Sequence, residues 1–347
     1  MAVAVILLLT TGPAATAAGT GQSGPDRVAF GIQPANAQGT VDPRAFFQYE
    51  LSPAAEVFDH VAVVNYSPSP LDLDVYPTDA GSDPTTGAFS PANRADPPRA
   101  VGRWLTVGDG PTTLTVPAAT GDEPGTVVLP VRITVPDDAS PGDHTGAILV
   151  SLTTLGENPD GQNVLLEQRV AVRVYLRITG NLVPRLTISD LRTSYRAGTL
   201  PWQAGSLQVR YRVGNAGNVR FGVQPIIGVS GPFGVAEQRR TSAPLVELAP
   251  GAVADLTETI DGIMPLGPLD ATVRLEALAS PGSTAPDLLP VTASAQQWAV
   301  PVATLVIVAI LLVVWGLLLI GRRRRREATP ASYSGRPRSA APPSAIG

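Results

Sequence analysis

The sequence predicts an all-β fold of two tandem immunoglobulin-like β-sandwich domains, followed by a single transmembrane α-helix. Between Val28 and about Ser280, short alternating apolar patterns are separated by proline-rich turns such as SPSP and PDDASPGDH, which is typical of antiparallel sandwiches. No stretch in this region has a helical period. Residues 298–320, WAVPVATLVIVAILLVVWGLLLI, contain no charged side chain and predict the helix.

The predicted helix is long enough to cross a bilayer. At 1.5 Å per residue it extends roughly 34 Å, and the hydrocarbon core is about 30 Å thick. A buried core helix is the alternative, but one of this length would normally carry a polar face. An interfacial tryptophan, a proline in the first turn and a closing arginine run complete the pattern. The predicted anchor residues are Trp298, Pro301, Trp315, Arg322, Arg323, Arg324, Arg325 and Arg326.

The two ends of the chain predict a single-pass type I protein of the cell membrane. Residues 1–20 contain an apolar stretch and an A-x-A cleavage pattern, which predict a signal peptide although a positive n-region is missing. The arginine run predicts that residues 321–347 form a disordered cytoplasmic tail. The bulk of the chain is therefore expected outside the cell.

Charge excludes one class of partner. The tail from Arg322 onward carries a net charge of +6 and the remainder carries -10. An acidic exterior has no basic patch to release counterions, so nucleic acid is not an expected partner. The chain has no cysteine, so each domain must be held by an apolar core of ordinary size.

A weak internal repeat places the domain boundaries. The segments DHVAVVNYSPSPLDLDVYP and SLQVRYRVGNAGNVRFGVQP share a strand, an asparagine, a turn and a second strand. Asn65 and Asn215 are expected to close these turns with their side chains. We therefore predict domain 1 at 28–180, domain 2 at 181–280 and a Pro/Ser/Ala stalk at 281–297.

Several ordered blocks resemble a known family. These blocks are FGIQPAN, FFQYELSP, VAVVNYSPSPLDLDVYPTDA and GAF, followed by VPDDASPGDHTGAI and RVAVRVYLRITG. They resemble the N-terminal domain of the WxL-interacting protein family, especially its single-pass actinobacterial members. The resemblance implies a protein facing the cell wall, in which domain 1 binds peptidoglycan and domain 2 binds an exported protein. It carries over no ligand residue.

The residues offer little for catalysis, so no enzyme activity and no cofactor are expected. There are two histidines, His60 and His144, and no G-x-S-x-G motif. His144 is interpreted as a turn residue that bonds the backbone. Carboxylates cluster in two places, and calcium binding is the alternative to ordinary turn chemistry although no D-x-D-x-D-G loop is present. The clustered residues are Asp72, Asp74, Asp79, Asp83, Asp137, Asp138 and Asp143.

Sugar binding by a sandwich usually needs exposed aromatic rings. Tyr66, in the NYSPSP turn, and Trp104 are the candidate ligand contacts, with a core position as the alternative for Trp104. The sequence thus predicts a non-catalytic surface protein that binds peptidoglycan and an exported protein; the alternative is an assembly subunit that binds no glycan. Leu289–Ala293, LPVTA, resembles a sorting signal for wall attachment, which is the alternative to a permanent membrane anchor.

Overall fold

The computed structural model describes residues 28–327, except 41, 158–160, 199, 201–202, 266 and 301. Within these residues the chain divides into two units. Unit 1 comprises 28–83, 89–183 and 217–220, and unit 2 comprises 84–88, 184–216 and 221–327. The main division therefore falls between Val183 and Pro184, three residues after the predicted end of domain 1. The predicted signal peptide and the tail beyond 327 lie outside the described residues.

Unit 1 is a sandwich of two sheets with the strand order of an immunoglobulin domain. Its strands are β1 Phe30–Ala35, β2 Phe47–Leu51, β3 Glu56–Asn65, β4 Leu71–Ser82, β5 Phe89–Pro91, β6 Leu105–Val107, β7 Thr112–Val116, β8 Gly125–Thr134, β9 Gly142–Glu157 and β10 Asn163–Ile178, with a one-turn helix α1 at Val101–Trp104. One sheet has the order β1-β3-β8-β6, and the other has β2-β10-β9-β4-β5 with β7 also on β4. Strand β2 pairs in parallel with β10, and the other pairs are antiparallel. These orders match the A-B-E-D and G-F-C sheets of the immunoglobulin fold.

The core of unit 1 follows from period-two alternation. Val61 and Val63 on β3 face Ile148 and Val150 on β9 across the sandwich, and all four are fully buried. In a strand, alternate side chains point to the same face. The alternation in the sequence thus supplies one continuous apolar layer, and its removal from water is the main stabilising term.

Unit 2 repeats the plan with fewer strands. They are β11 Leu186–Arg196, β12 Gly205–Asn215, β13 Phe221–Ser230, β14 Gln238–Thr241, β15 Leu245–Leu248, β16 Val253–Ile263, β17 Gly267–Leu278 and β18 Val291–Ala299. The sheets have the orders β11-β12-β16 and β14-β13-β17-β18, with β15 also on β13. The predicted fold of two tandem immunoglobulin-like sandwiches is confirmed.

The internal repeat has the predicted structural role. Asn65 ends β3 and Asn215 ends β12, and both side chains are buried. The Asn65 amide donates to the carbonyls of Ser69 and Pro117, each at 2.9 Å. The Asn215 amide donates to the carbonyl of Leu248 at 2.9 Å. Each asparagine thereby holds the turn that carries the chain from one sheet to the other.

The predicted stalk is wrong in its second half. Residues Val291–Ala299 form β18, which pairs along its whole length with β17. Backbone pairing and a partly buried inner face give this Ala/Ser/Gln segment a strand structure that its composition does not suggest. For the same reason Trp298 belongs to a strand of unit 2 and not to the helix.

The apolar helix is present with shifted ends. Helix α2 spans Val302–Glu327, about 39 Å at 1.5 Å per residue. It begins four residues later than predicted and continues through the arginine run, Arg322 to Arg326. Its segment Leu305–Arg324 has a mean hydropathy of 2.7 and no buried residue, so it is long and apolar enough to cross a membrane. Trp315 is exposed on this helix.

Candidate functional site

Trp104 is a core residue of unit 1, so its predicted place in an exposed aromatic pair is wrong. Its side chain is 9% exposed at the end of α1, and its ring lies 4.9 Å from the His144 ring, centroid to centroid. The carboxylate of Asp79 fixes this turn by accepting the amides of Ala100 at 3.1 Å and Gly102 at 2.8 Å. The alternative interpretation, a core tryptophan, is the one found.

Tyr66 is exposed, as expected for a turn residue. Its side chain is 55% accessible, and its backbone amide donates to the carbonyl of Ala29 at 2.8 Å. Because Trp104 is buried, the two predicted ligand contacts do not form a joint aromatic surface. Tyr66 is left as a single candidate contact.

Several of the clustered carboxylates of unit 1 are engaged with protein groups. Asp72 accepts from Thr115 at 2.6 Å, and Asp74 accepts from Thr113 at 2.7 Å and from Arg94 at 2.6 Å. The hydrogen bonds from Arg94 and Thr113 lower the pKa of Asp74. Among the described residues, no group of three or more His, Cys, Asp or Glu is placed to hold a metal ion.

Two further polar side chains of β9 have structural partners. Asp143 accepts two hydrogen bonds from the Arg177 guanidinium, at 2.7 and 2.8 Å. The His144 Nε2 atom lies 2.8 Å from the carbonyl oxygen of Ser140, so the predicted turn contact of His144 is confirmed. These residues stabilise the start of β9.

The LPVTA segment is largely ordered in unit 2. Leu289 is exposed, but Thr292 and Ala293 lie in β18, opposite Arg274 and Val273 of β17. A transpeptidase must reach the backbone of this threonine in an extended chain. Pairing in a sheet occupies part of that backbone, which disfavours wall attachment through this motif.

The outer face of the β10-β9-β4 sheet is largely covered. Arg173 lies over the Phe89 ring at 4.9 Å, and Phe89 contacts the Tyr175 ring edge-on at 6.3 Å. Arg94 lies over the Tyr76 ring at 4.8 Å. These stacked cations and rings shield the middle of the sheet from solvent.

The longest strands of unit 1 extend past their neighbours and form an arm. Strand β4 pairs with β9 only between Gly146 and Ser151, and β2 pairs with β10 only from Val174. Residues 152–157 and 163–168 therefore pair only with each other. At about 3.4 Å per residue this β9–β10 arm is about 20 Å long.

The arm carries exposed leucines on both faces. Leu155 and Leu165 lie opposite each other in the register and are 77% and 72% exposed. Leu166, on the other face, is also exposed, and its methyl groups lie over Gly156. Solvated leucines placed together on one element mark an interaction site more often than an inert surface.

The arm also presents an open strand edge. Between Asn163 and Arg173, β10 pairs with β9 alone, so the opposite side of its backbone lies at an edge of the sheet. Val164, Leu166, Gln168, Val170 and Val172 lie on one face of this edge strand, and the last two pack into the core. An extended strand with alternating apolar side chains can accept a further strand from another chain. The sequence patterns predict these strands but not this edge, since the edge depends on where the neighbouring strands end.

Comparisons with known proteins add little to this geometry. No protein-family model matches the sequence, and no curated protein matches it. A chain from the chaperone–tip adhesin complex of CFA/I fimbriae biogenesis is 13% identical, covers 76% of this chain and 99% of its own length, and has a TM-score of 0.32. The class 5 fimbriae chaperone CfaA is 13% identical, covers 77% of this chain and 98% of its own length, and has a TM-score of 0.32. The Pseudomonas aeruginosa CupB2 chaperone is 13% identical, covers 74% of this chain and 97% of its own length, and has a TM-score of 0.30. Likenesses of this degree carry no argument about what this chain binds.

The fold and the surfaces define a class of protein. Its described residues form two immunoglobulin-like β-sandwich units and one helix apolar enough to span a membrane. Among the described residues of unit 1, the most exposed large apolar side chains are Leu155 and Leu165 of the β9–β10 arm.

Proposed function

We propose that the protein is a non-catalytic, membrane-anchored surface protein that binds an exported protein partner through the β9–β10 arm. The observation that carries this proposal is the arm itself, with Leu155 and Leu165 solvated on a pair of strands that no third strand supports. The partner supplies an extended segment that pairs with the open edge of β10. The protein would thereby hold or assemble another surface protein.

The energetics of this mode are adequate for specific binding. Backbone hydrogen bonds along the edge give register, and alternating side chains give selectivity. Full burial of a leucine side chain contributes about 1.5–3 kcal/mol, so the exposed leucines can supply most of the apolar term. Because α2 confines the protein to a membrane, the effective concentration of a co-localised partner is high and modest affinity suffices.

The proposed topology is single-pass type I in the cell membrane. The arginine run at the end of α2 and the apolar N-terminal stretch support placement of both units outside the cell. The tail then lies in the cytoplasm. The blocks that resemble the WxL-interacting family support a surface protein with an exported partner, which the resemblance assigns to domain 2, and we place that partner on the arm of unit 1 because of the arm's exposed leucines. We propose membership in that family on the sequence blocks alone.

Peptidoglycan binding by unit 1 is the second candidate. It is favoured by the exposed ring of Tyr66, which could stack on a sugar. Co-sedimentation of the detergent-solubilised chain with insoluble sacculi tests it, with Tyr66→Ala as the variant and Phe58→Ala, also an exposed aromatic, as the matched control. Loss of pelleting in Tyr66→Ala alone supports a glycan contact. Failure of the unaltered chain to pellet removes this candidate.

Site-specific photocrosslinking tests the arm. A photoreactive residue at Leu165 in the full chain, expressed in its own cells, should give a discrete adduct with an exported protein. The same residue at Phe58, equally solvated on β3, is the control. The adduct should disappear in the Leu155→Asp variant, which places a charge directly opposite Leu165 without removing a core side chain. Equal adducts at both positions, or an adduct that survives Leu155→Asp, would contradict the proposal.

A further inference from the structure

The sandwich of unit 2 is joined to α2 by a very short connection. Strand β18 ends at Ala299 and α2 begins at Val302. An extended chain spans at most about 3.6 Å per residue, so the last residue of β18 lies within about 11 Å of the first residue of the helix. If α2 crosses a bilayer, one end of unit 2 is held at the bilayer surface.

The strand registers identify the loops at that end. Strand β17 begins opposite the last residue of β18, and β13 ends opposite the fourth residue of β17. In the other sheet, β12 begins opposite the end of β16. The described residues of the connections, 197–198, 200, 203–204, 231–237 and 264–265, therefore lie at the end of the sandwich from which the chain leaves for the helix.

Glu237 and Arg239 are exposed at this end, and so are six large apolar side chains. The six are Leu200, Phe233, Val235, Met264, Trp298 and Val300, and we refer to them as the exit end. Phe233 is 105% exposed, more than a reference residue in an open chain. Residues 197–198, 200, 203–204, 231–236 and 264–265 at this end carry no charge. The first charges after Ala236 are paired, since Arg239 lies 3.6 Å from Glu237.

The loop that carries Phe233 is held in an unusual backbone conformation. Phe233 has φ 58° and Ala236 has φ 56°, both in the left-handed region. The loop is closed by a hydrogen bond of 2.8 Å from the Gly231 amide to the Val235 carbonyl. Left-handed backbone in a non-glycine residue is unfavourable, and such positions cluster at binding sites. The strained backbone of this loop thus holds the aromatic ring of Phe233 in solvent.

We propose that the exit end docks into the interfacial layer of the bilayer that α2 crosses, with Phe233, Val235 and Trp298 as the inserting side chains. This inference rests on the membrane anchor of the proposed function. The headgroup layer adds about 5–8 Å on each side of the hydrocarbon core, which is within reach of an end tethered by two residues. Tryptophan and other aromatic rings are favoured at this depth. Lipid is the occupant because the tether keeps it against this surface at all times.

Fluorescent labelling of the full chain tests the docking. The sequence has no cysteine, so a single introduced cysteine can be labelled specifically with an environment-sensitive fluorophore. Val235→Cys and Val246→Cys form a matched pair, since both valines are 57% exposed and Val246 lies beside the start of β13, at the opposite end of unit 2. Leu311→Cys, within α2, reports on the anchor. Each protein is reconstituted in phosphatidylcholine–phosphatidylglycerol vesicles and quenched with aqueous iodide.

The result expected is a blue shift and loss of quenching at position 235, with full quenching at 246 and protection at 311. Equal quenching at 235 and 246 with protection at 311 would overturn the docking and leave the anchor intact. Quenching at 311 would overturn the anchor and the docking together. Protection at 235 that is lost when the lipid-to-protein ratio is raised would assign the exit end to a contact between copies of this chain, and would overturn the lipid proposal.

Discussion

The guanidinium group of Arg44 binds the carboxylate of Asp59 through two hydrogen bonds, with nitrogen–oxygen distances of 2.9 and 3.2 Å. The hydroxyl of Tyr49 donates to the same carboxylate, and so does the amide of His60 at 2.7 Å. Burial alone raises the pKa of Asp59, but these hydrogen bonds outweigh it and hold the pKa below its usual range. The network joins β2 and β3, which belong to different sheets.

We expect Asp59→Asn to lower the free energy of unfolding by about 1–3 kcal/mol at pH 7. Because the pKa of Asp59 is lower in the folded protein than in the unfolded chain, its ionised carboxylate stabilises the fold above the unfolded-state pKa, near 4. This stabilisation is lost as the pH falls through the folded-state pKa. The difference in free energy of unfolding between the unaltered chain and Asp59→Asn should therefore shrink below about pH 4. Urea denaturation of the solubilised chain between pH 7 and pH 3 measures it. Asp137→Asn, in an exposed turn, is the control, and a gap constant down to pH 3 would contradict the expectation.

Replacement of Asn65 by alanine should destabilise unit 1 by about 1–3 kcal/mol, because buried carbonyl groups lose their donor. Asn215→Ala should act in the same direction on unit 2. Asn36→Ala is the matched control, since Asn36 accepts the amides of Gln38 and Thr40 in an exposed turn. That change should cost less than about 1 kcal/mol. Thermal unfolding compares the three, and an equal loss for Asn36→Ala would argue against the buried role.

Trp104→Ala should cost about 3–5 kcal/mol, since it leaves a large cavity in the core of unit 1. Tyr66→Ala should leave stability within about 0.5 kcal/mol, since its ring is solvated. Urea denaturation followed by near-ultraviolet circular dichroism measures both. A stable Trp104→Ala variant would mean that this tryptophan is not part of the core.

Replacement of residues 291–297 by a Gly/Ser linker of equal length should destabilise unit 2 by at least about 2 kcal/mol, a large share of the 5–15 kcal/mol that holds a domain together. The reason is that β17 loses most of its outer partner. The same replacement at 281–287, between strands, should be tolerated. Limited proteolysis should cleave the 291–297 variant faster than the 281–287 variant. Equal resistance of the two variants would mean that residues 291–297 are a stalk and not a strand of unit 2.

Much of the fold could be predicted because period-two alternation in the sequence shows which face of a strand is buried and which is solvated. Strand β3 and the buried asparagine that ends it follow directly from VAVVN. The apolar helix also follows from composition alone. Its predicted start is four residues too early because Pro301 suggests a first turn that includes Trp298, whereas pairing with β17 keeps Trp298 in the sandwich.

The candidate surfaces were harder to predict because they depend on neighbours that are distant in sequence. Leu155 and Leu165 have the same local pattern as core residues, and only the limited extent of β4 and β2 leaves them solvated. Trp104 follows a polar loop, which suggested exposure. Its burial depends on Asp79, 25 residues earlier, which draws that loop onto the sandwich.

The direct passage from β18 into α2 has a mechanical consequence. If α2 spans a membrane, a pulling force on the helix enters the sandwich of unit 2 along the axis of β18, so the hydrogen bonds to β17 bear the load in parallel and not one after another. A flexible stalk would extend before it transmitted this force. Here the force reaches the β17–β18 pair almost without prior extension, and this pair sets how much force the connection between the sandwich and α2 withstands.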